Sequence, residues 1–110
     1  MNIMEYQEKA ERTVNNDLIF REQLSNLCMG LAGESGEVID YLKKCLYHEH
    51  KLYKQDLIKE LGDVMWYLTN IATFFKIPMS VILEENIKKL EERYPEGFSV
   101  EKSINRKEYK

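Results

Sequence analysis

Residues that break helices or cross-link chains are scarce in this sequence. Its 110 residues include two prolines, five glycines and two cysteines, and no stretch alternates β-branched and polar residues over the length of a strand. Cys28 and Cys45 form neither a CxxC pair nor a set with histidine at zinc spacing, which argues against a zinc finger. We expect two core thiols rather than a disulfide.

Targeting and nucleic-acid-binding signals are also lacking. Apolar runs are only a few residues long and no basic segment precedes one, so we expect a cytoplasmic protein without a membrane span. A net charge of −3 argues against stable nucleic-acid binding through phosphate neutralisation. A Walker loop, a Ser/His/Asp signature and a Rossmann fingerprint are absent as well.

The pattern that is present is helical nearly throughout, and it predicts an all-α, four-helix bundle-like protomer. Apolar residues recur at helical spacing over about 2–14, 21–46, 55–75 and 79–93. Polar or proline-containing links separate these segments, and the second and third are long enough to form a central antiparallel hairpin. We predict one domain, 1–98, followed by a polar tail, 99–110.

Two pairs of acids interrupt the apolar faces of the hairpin. Glu34 and Glu37 are spaced i,i+3, as are Glu60 and Asp63, so each pair shares one helix face. Glu34 continues an apolar stripe on the second helix, and Glu60 falls within one on the third. Other acids at the same spacing, such as Glu5 and Glu8, lie on a polar face and are expected to be solvated.

The two acid pairs should meet, because they lie at equal distances from the predicted turn near residues 47–53. Burying several ionised carboxylates costs several kcal/mol each, so such a group needs cations or protonation. A divalent metal with oxygen ligands would satisfy this need. A second hypothesis is a non-catalytic helical interaction module whose acids form a docking face for a basic partner.

A cationic face on the fourth helix is a candidate phosphate clamp. Asn86, Lys89 and Arg93 lie at i, i+3 and i+7, and lysine and arginine suit phosphate oxygens. The alternative is that these cations only extend over an apolar boundary. Trp66 could stack on a base, although aromatic residues at helical spacing are more often part of a core.

Three glycines recur at i+3 around the first acid pair: Gly30, Gly33 and Gly36. Each costs roughly 0.5–1 kcal/mol relative to alanine inside a helix. Close approach of a ligand or neighbouring backbone is one explanation, and close helix packing alone is the other.

Together these motifs resemble the all-α nucleoside triphosphate pyrophosphohydrolases, in particular the MazG-like group. The resemblance covers most of the chain and rests on four segments, namely YQ (6–7), GLAGESGEV (30–38), KELGDVMWYL (59–68) and NIKKLEERYPEGF (86–98). The two acid pairs in these contexts are specific, whereas a lone ExxE is not.

The resemblance implies a fold, a reaction and a ligand set. It implies Mg²⁺, with Mn²⁺ as a substitute, held by the four acids Glu34, Glu37, Glu60 and Asp63. It implies hydrolysis of a (d)NTP to the monophosphate and pyrophosphate, in a nucleotide-pool sanitising role. Glu37, or else Glu34, would act as general base. Asn86, Lys89, Arg93 and Trp66 would contact substrate, and the protein would be a homodimer or homotetramer.

Overall fold

All regular structure in the computed structural model, which describes residues 1–106, is helical, and this confirms the all-α prediction. The helices are α1 (Ile3–Glu11), α2 (Phe20–Tyr47), α3 (Lys54–Phe74), α4 (Met79–Arg93) and α5 (Val100–Ile104). No helix within residues 1–106 is both long enough and apolar enough to cross a membrane.

Helices α2 and α3 pack along their lengths as the predicted antiparallel hairpin. The connection between them is held by Tyr41, whose hydroxyl accepts a hydrogen bond from the Tyr53 backbone N–H at 2.9 Å. The same hydroxyl contacts the Tyr53 carbonyl oxygen at 3.2 Å. These contacts tie the start of α3 to the last turns of α2, and so help to hold the register in which Glu34 lies opposite Glu60 and Asp63.

A buried glutamine joins α1 to the turn between α3 and α4. Gln7 is 8% exposed, and its Nε2 donates to the Ile77 carbonyl at 2.9 Å and to Thr73 Oγ1 at 3.1 Å. Its Oε1 accepts from the backbone N–H of Met79 at 2.8 Å, satisfying a donor at the start of α4. One side chain therefore secures the bend after α3 and sets α4 against α1, its main packing partner.

Two sequence predictions differ from the structure at the ends of the chain. Helix α1 ends at Glu11 rather than near residue 14, and residues 12–14 continue as a turn. The segment predicted as a tail contains α5, which Ser99 caps by accepting from the Lys102 N–H at 3.0 Å. Residues 107–110 of that segment lie outside the described residues.

The single chain buries little of its apolar surface. The apolar side chains that are buried among the described residues are Ala10, Leu27, Ala72 and Met79. The radius of gyration is 17.3 Å, whereas a compact domain of this length would have roughly 13 Å. Large apolar residues are exposed along α2, α3 and α4, including Met29, Ile39, Leu46, Ile58, Leu61, Met65, Leu68, Leu83 and Ile87.

The prediction of two core thiols is wrong for Cys28. Both cysteines are free, with Cys28 exposed and Cys45 half-buried. Cys28 lies on an α2 face that neither α1 nor α3 covers, so its apolar surroundings in the sequence did not become a core.

Candidate active site

Three of the four predicted metal ligands come together where α2 crosses the first half of α3. Glu34 of α2 and Glu60 and Asp63 of α3 each place a carboxylate oxygen within 4.8 Å of the other two. Glu60 and Asp63 share a face because they are three residues apart, and the hairpin brings Glu34 opposite them. Glu34 and Glu60 are half-buried, while Asp63 is exposed.

Glu37, the fourth predicted ligand, lies one turn further along α2 and is not within this cluster. It is exposed, so the inward orientation predicted for all four acids is wrong for Glu37 and Asp63 in the single chain. Glu37 remains close enough to contribute to the potential at Glu34. It stands at the solvent side of the cluster, beside the three gathered carboxylates.

The cluster concentrates negative charge. Partial burial raises the pKa of Glu34 above its ordinary 4.5, and the neighbouring carboxylates Asp63, Glu60 and Glu37 raise it further. The pKa of Tyr6 is raised by burial and then by Asp63, which places the α1 phenol near the same charges. The ion pairs seen within residues 1–106 lie elsewhere, between Arg12 and Glu8 and between Asp40 and the lysines at 43 and 44.

We expect the metal-free protein to lose stability at Glu34 as the pH rises. Because its pKa is raised in the folded state, the Glu34 carboxyl binds its proton more tightly there than in the unfolded state. The resulting contribution to the free energy of unfolding is fully present below pH 4.5 and is lost as the pH rises through the raised pKa. Glu34→Gln, which stays neutral, should therefore gain in melting temperature relative to the parent over that range. Paired thermal melts in chelator from pH 4 to 8 measure this, and a difference that stays constant with pH would contradict it.

A cavity of about 360 Å³ opens beside the carboxylates, lined by Thr13, Glu34, Asp63, Trp66 and Tyr67. Trp66 Nε1 donates to Thr13 Oγ1 at 2.7 Å, and its ring meets the Tyr67 ring edge-on with centroids 4.8 Å apart. The predicted substrate contact Trp66 thus lies next to the acids. The aromatic rings of Trp66 and Tyr67 and the hydroxyl of Thr13 therefore lie beside the carboxylates.

Sequence reasoning did not assign Tyr67 or Thr13 to the site. The spacing of Tyr67 fits the apolar stripe of α3, and its ring could also stack on a base. It follows Asp63 by one helical turn and so shares its face. Thr13 lies beyond the end of α1, where no periodicity applies, and only the tertiary fold brings it to Trp66.

The glycines near Glu34 differ in their surroundings. A Cβ on Gly30 would overlap the Tyr67 ring, so Gly30 permits α3's aromatic side chain to lie directly on the α2 backbone. A Cβ on Gly33, Gly36 or Gly62 would meet no atom of the described residues within 4 Å. Contact with Tyr67 explains why a glycine is needed at position 30. Packing within this chain does not explain the glycines at positions 33, 36 and 62.

The predicted phosphate contacts on α4 do not line the cavity beside the acids. Asn86 and Lys89 are exposed and Arg93 is half-buried, with the Arg93 guanidinium 5.9 Å from the centre of the Tyr94 ring. Helix α4 packs mainly on α1, and the residues that line the cavity come from α2, α3 and the segment after α1.

The donor set of the cluster suits a hard divalent cation. Its ligand atoms are carboxylate oxygens, without the nitrogen or sulfur ligands that select softer metals. Burial and then the neighbouring carboxylates raise the pKa of Glu34, so both disfavour its charged form. A divalent ion bound by Glu34, Glu60 and Asp63 would supply compensating positive charge.

The chain is similar to known proteins over most of its length. The family model described as MazG nucleotide pyrophosphohydrolase domain matches residues 22–98, which include all four acids and the cationic face of α4. The chain is also similar to the Gene 37 protein of Mycobacterium phage L5, with 39% identity over 80 residues, covering 69% of this chain and 70% of the phage protein. No solved structure matches the chain significantly.

Proposed function

Because the chain belongs to the MazG nucleotide pyrophosphohydrolase family, we propose that it hydrolyses a (d)NTP to the monophosphate and pyrophosphate with Mg²⁺ as cofactor. The observation that carries this proposal is the cluster of Glu34, Glu60 and Asp63, whose oxygens converge to within 4.8 Å beside an open cavity. A docking face would not need this convergence, since separated exposed acids would serve a basic partner equally well.

The four acids divide between binding and proton transfer in this proposal. Glu34, Glu60 and Asp63 would hold Mg²⁺, and the exposed Glu37 would complete the set. The ion, when bound, would supply positive charge that neutralises the triphosphate and polarises its α-phosphorus. Glu37 accepts the proton of the attacking water at a carboxylate oxygen, with Glu34 as the alternative base. The pyrophosphate leaves as the water oxygen bonds to the α-phosphorus.

A second copy of the chain is the proposed partner, as a homodimer or homotetramer. Apolar side chains that remain exposed run along the hairpin and α4, and patches of this extent commonly mark interfaces. The open backbone at Gly33 and Gly36 would allow another helix to approach α2 closely. Association would bury these faces, which the small core of one chain leaves in water.

The partner would also complete the active site. Lys89 and Asn86 are exposed and do not line the cavity of their own chain. In our proposal α4 of one copy reaches the acid cluster of the other, where Lys89 and Arg93 contact the phosphates and Asn86 the sugar or phosphate. Trp66 and Tyr67 border the substrate beside the acids. Removal of unwanted nucleotides from the pool is the proposed biological role.

We expect nucleoside triphosphates incubated with the protein and Mg²⁺ to yield equal amounts of monophosphate and pyrophosphate. Phosphorus NMR separates pyrophosphate from orthophosphate and so identifies the bond that is cleaved. Mn²⁺ should substitute, and excess chelator should reduce turnover to background. Orthophosphate as the first product, turnover in chelator, or no turnover of any nucleotide would each contradict the proposal, and the last would favour the docking module.

A further inference from the structure

A second cavity lies near the N-terminal end of α2, between that helix, the end of α1 and the second half of α3. It has a volume of about 240 Å³ and is lined by nine residues, namely Glu11, Val14, Asn16, Phe20, Gln23, Leu27, Asn70, Thr73 and Phe74. Drug-sized ligands occupy cavities of about 300–1,000 Å³. This cavity therefore suits one ring system of a larger ligand.

Asn70, which lines this cavity, carries a buried side-chain oxygen without a partner. Asn70 is 2% exposed, and its Nδ2 donates to the Trp66 carbonyl at 3.1 Å, which orients the carboxamide. Its Oδ1 accepts no hydrogen bond from any described residue. An unsatisfied buried acceptor costs about 1–3 kcal/mol, so a ligand with a donor there would recover that loss.

Three other polar groups of the cavity wall, on Gln23, Thr73 and Glu11, offer acceptor oxygens. Gln23 uses Nε2 to donate to the Asn15 carbonyl at 3.3 Å. The Thr73 hydroxyl donates to the Thr69 carbonyl at 3.2 Å and is contacted by Gln7. Glu11 adds a carboxylate. A ligand group that fits this wall would carry N–H donors.

Two aromatic rings form the apolar side of the cavity. Phe20 and Phe74 lie with ring centroids 4.5 Å apart and planes inclined by 42°. Phe20 is 71% exposed, so its ring lies at the solvent side of the cavity. Aromatic faces of this kind stack on flat heterocycles.

The cavity lies about two helical turns from the acids along both α2 and α3. Leu27 precedes Glu34 by seven residues on α2, and Asn70 follows Asp63 by seven on α3, so both are two turns away on the same faces. Two turns correspond to roughly 10 Å along the hairpin. Trp66 and Tyr67 line the space beside the acids, and a nucleotide lying along this face would have its phosphates at the acids and its base near Asn70.

We propose that this cavity receives the nucleobase of the substrate and selects bases that carry an exocyclic amino group, with Asn70 Oδ1 accepting one of its hydrogens. This inference rests on the proposed function and adds the substrate class. Uracil and thymine offer one N–H between two carbonyl oxygens, and those oxygens would face the acceptors of Asn70 and Glu11. Adenine, cytosine and guanine present an amino group instead.

Matched substrates test the selection without altering the protein. We expect dATP to have a kcat/KM at least about tenfold above that of the analogue with unsubstituted purine, since the two differ only in the amino group. The same should hold for dCTP against its 2-pyrimidinone analogue. Equal values within both pairs would overturn the inference while leaving the hydrolase intact, whereas no turnover of any triphosphate would overturn the proposed function.

Substitutions in α3 then test whether Asn70 is responsible for the preference for bases with an amino group. In Asn70→Leu the ratio within each pair should fall to about one. Thr69→Val is the matched control, because Thr69 Oγ1 is also buried without a partner but belongs to a residue outside the cavity lining, and the wild-type ratio should persist. An unchanged ratio in folded Asn70→Leu would overturn the role of Asn70. If circular dichroism shows that this variant does not fold, Asn70→Ala provides the same test.

Discussion

Replacing Glu60 with glutamine should reduce Mg²⁺-dependent pyrophosphate release by roughly a hundredfold or more, because glutamine keeps the side-chain volume but removes one charged ligand from the cluster. The fold should tolerate the change. Glu60 is half-buried beside two other carboxylates, and its charge repels theirs when no metal is bound. The metal-free melting temperature should therefore rise or stay the same.

Magnesium should distinguish the two proteins further. A ligand that binds only the folded state stabilises it by RT ln(1 + [L]/Kd), so Mg²⁺ should raise the melting temperature of the parent more than that of Glu60→Gln. Glu8→Gln is the control, since Glu8 carries the same charge on the exposed face of α1 with only a surface pair to Arg12. A clear loss of metal-free stability in Glu60→Gln would instead make Glu60 a structural carboxylate, and the proposed site would fail.

Mixing two inactive proteins should restore activity if the active site is shared between copies. Lys89→Ala lacks the proposed phosphate contact, and Glu60→Gln lacks a metal ligand, so each should be nearly inactive alone. In a mixed pair, the intact acids of the Lys89→Ala chain meet the intact Lys89 of the other chain. Random pairing of equal amounts makes half of the dimers mixed, each with one complete site, so about a quarter of wild-type activity should return.

The readout is turnover by the coexpressed variants after purification through one affinity tag that both chains carry, so that all pairings are retained. Coexpression of Glu60→Gln with Asp63→Asn is the control, because both variants lie in the same carboxylate cluster and no complete site can form. Recovery equal to that control would show that Lys89 acts within its own chain or not at all. Full activity of Lys89→Ala alone would show that it is a surface cation.

The helices themselves could be predicted from the sequence with small errors at their ends. Proline and polar links separate the apolar patterns, and local periodicity depends on neighbouring residues alone, so α2, α3 and α4 begin and end within one residue of expectation. Helix α1 and the tail were less accurate, because their ends are decided by caps and turns. The short α5 is begun by a single Ser99 cap, which apolar periodicity does not report.

The convergence of Glu34 and Asp63 could be predicted for a similar reason. In an antiparallel hairpin, equal distances from the turn place residues side by side, so sequence position and helix phase together determine the pairing. Their burial could not be derived in this way. Periodicity assigns a residue to a face of its helix, and only packing decides whether another element covers that face, as the exposed Asp63 and Cys28 illustrate.

The sequence by itself determined the helical elements, the hairpin and the height at which the acids meet, since each follows from local spacing along one or two helices. The tertiary structure alone decided which side chains meet across distant segments. Gln7 reaches Met79 and Thr13 reaches Trp66 because α1 packs against α3 and α4. The cavity at Asn70 depends on three such segments at once, and contacts between segments far apart in sequence leave no periodic signal in any of them.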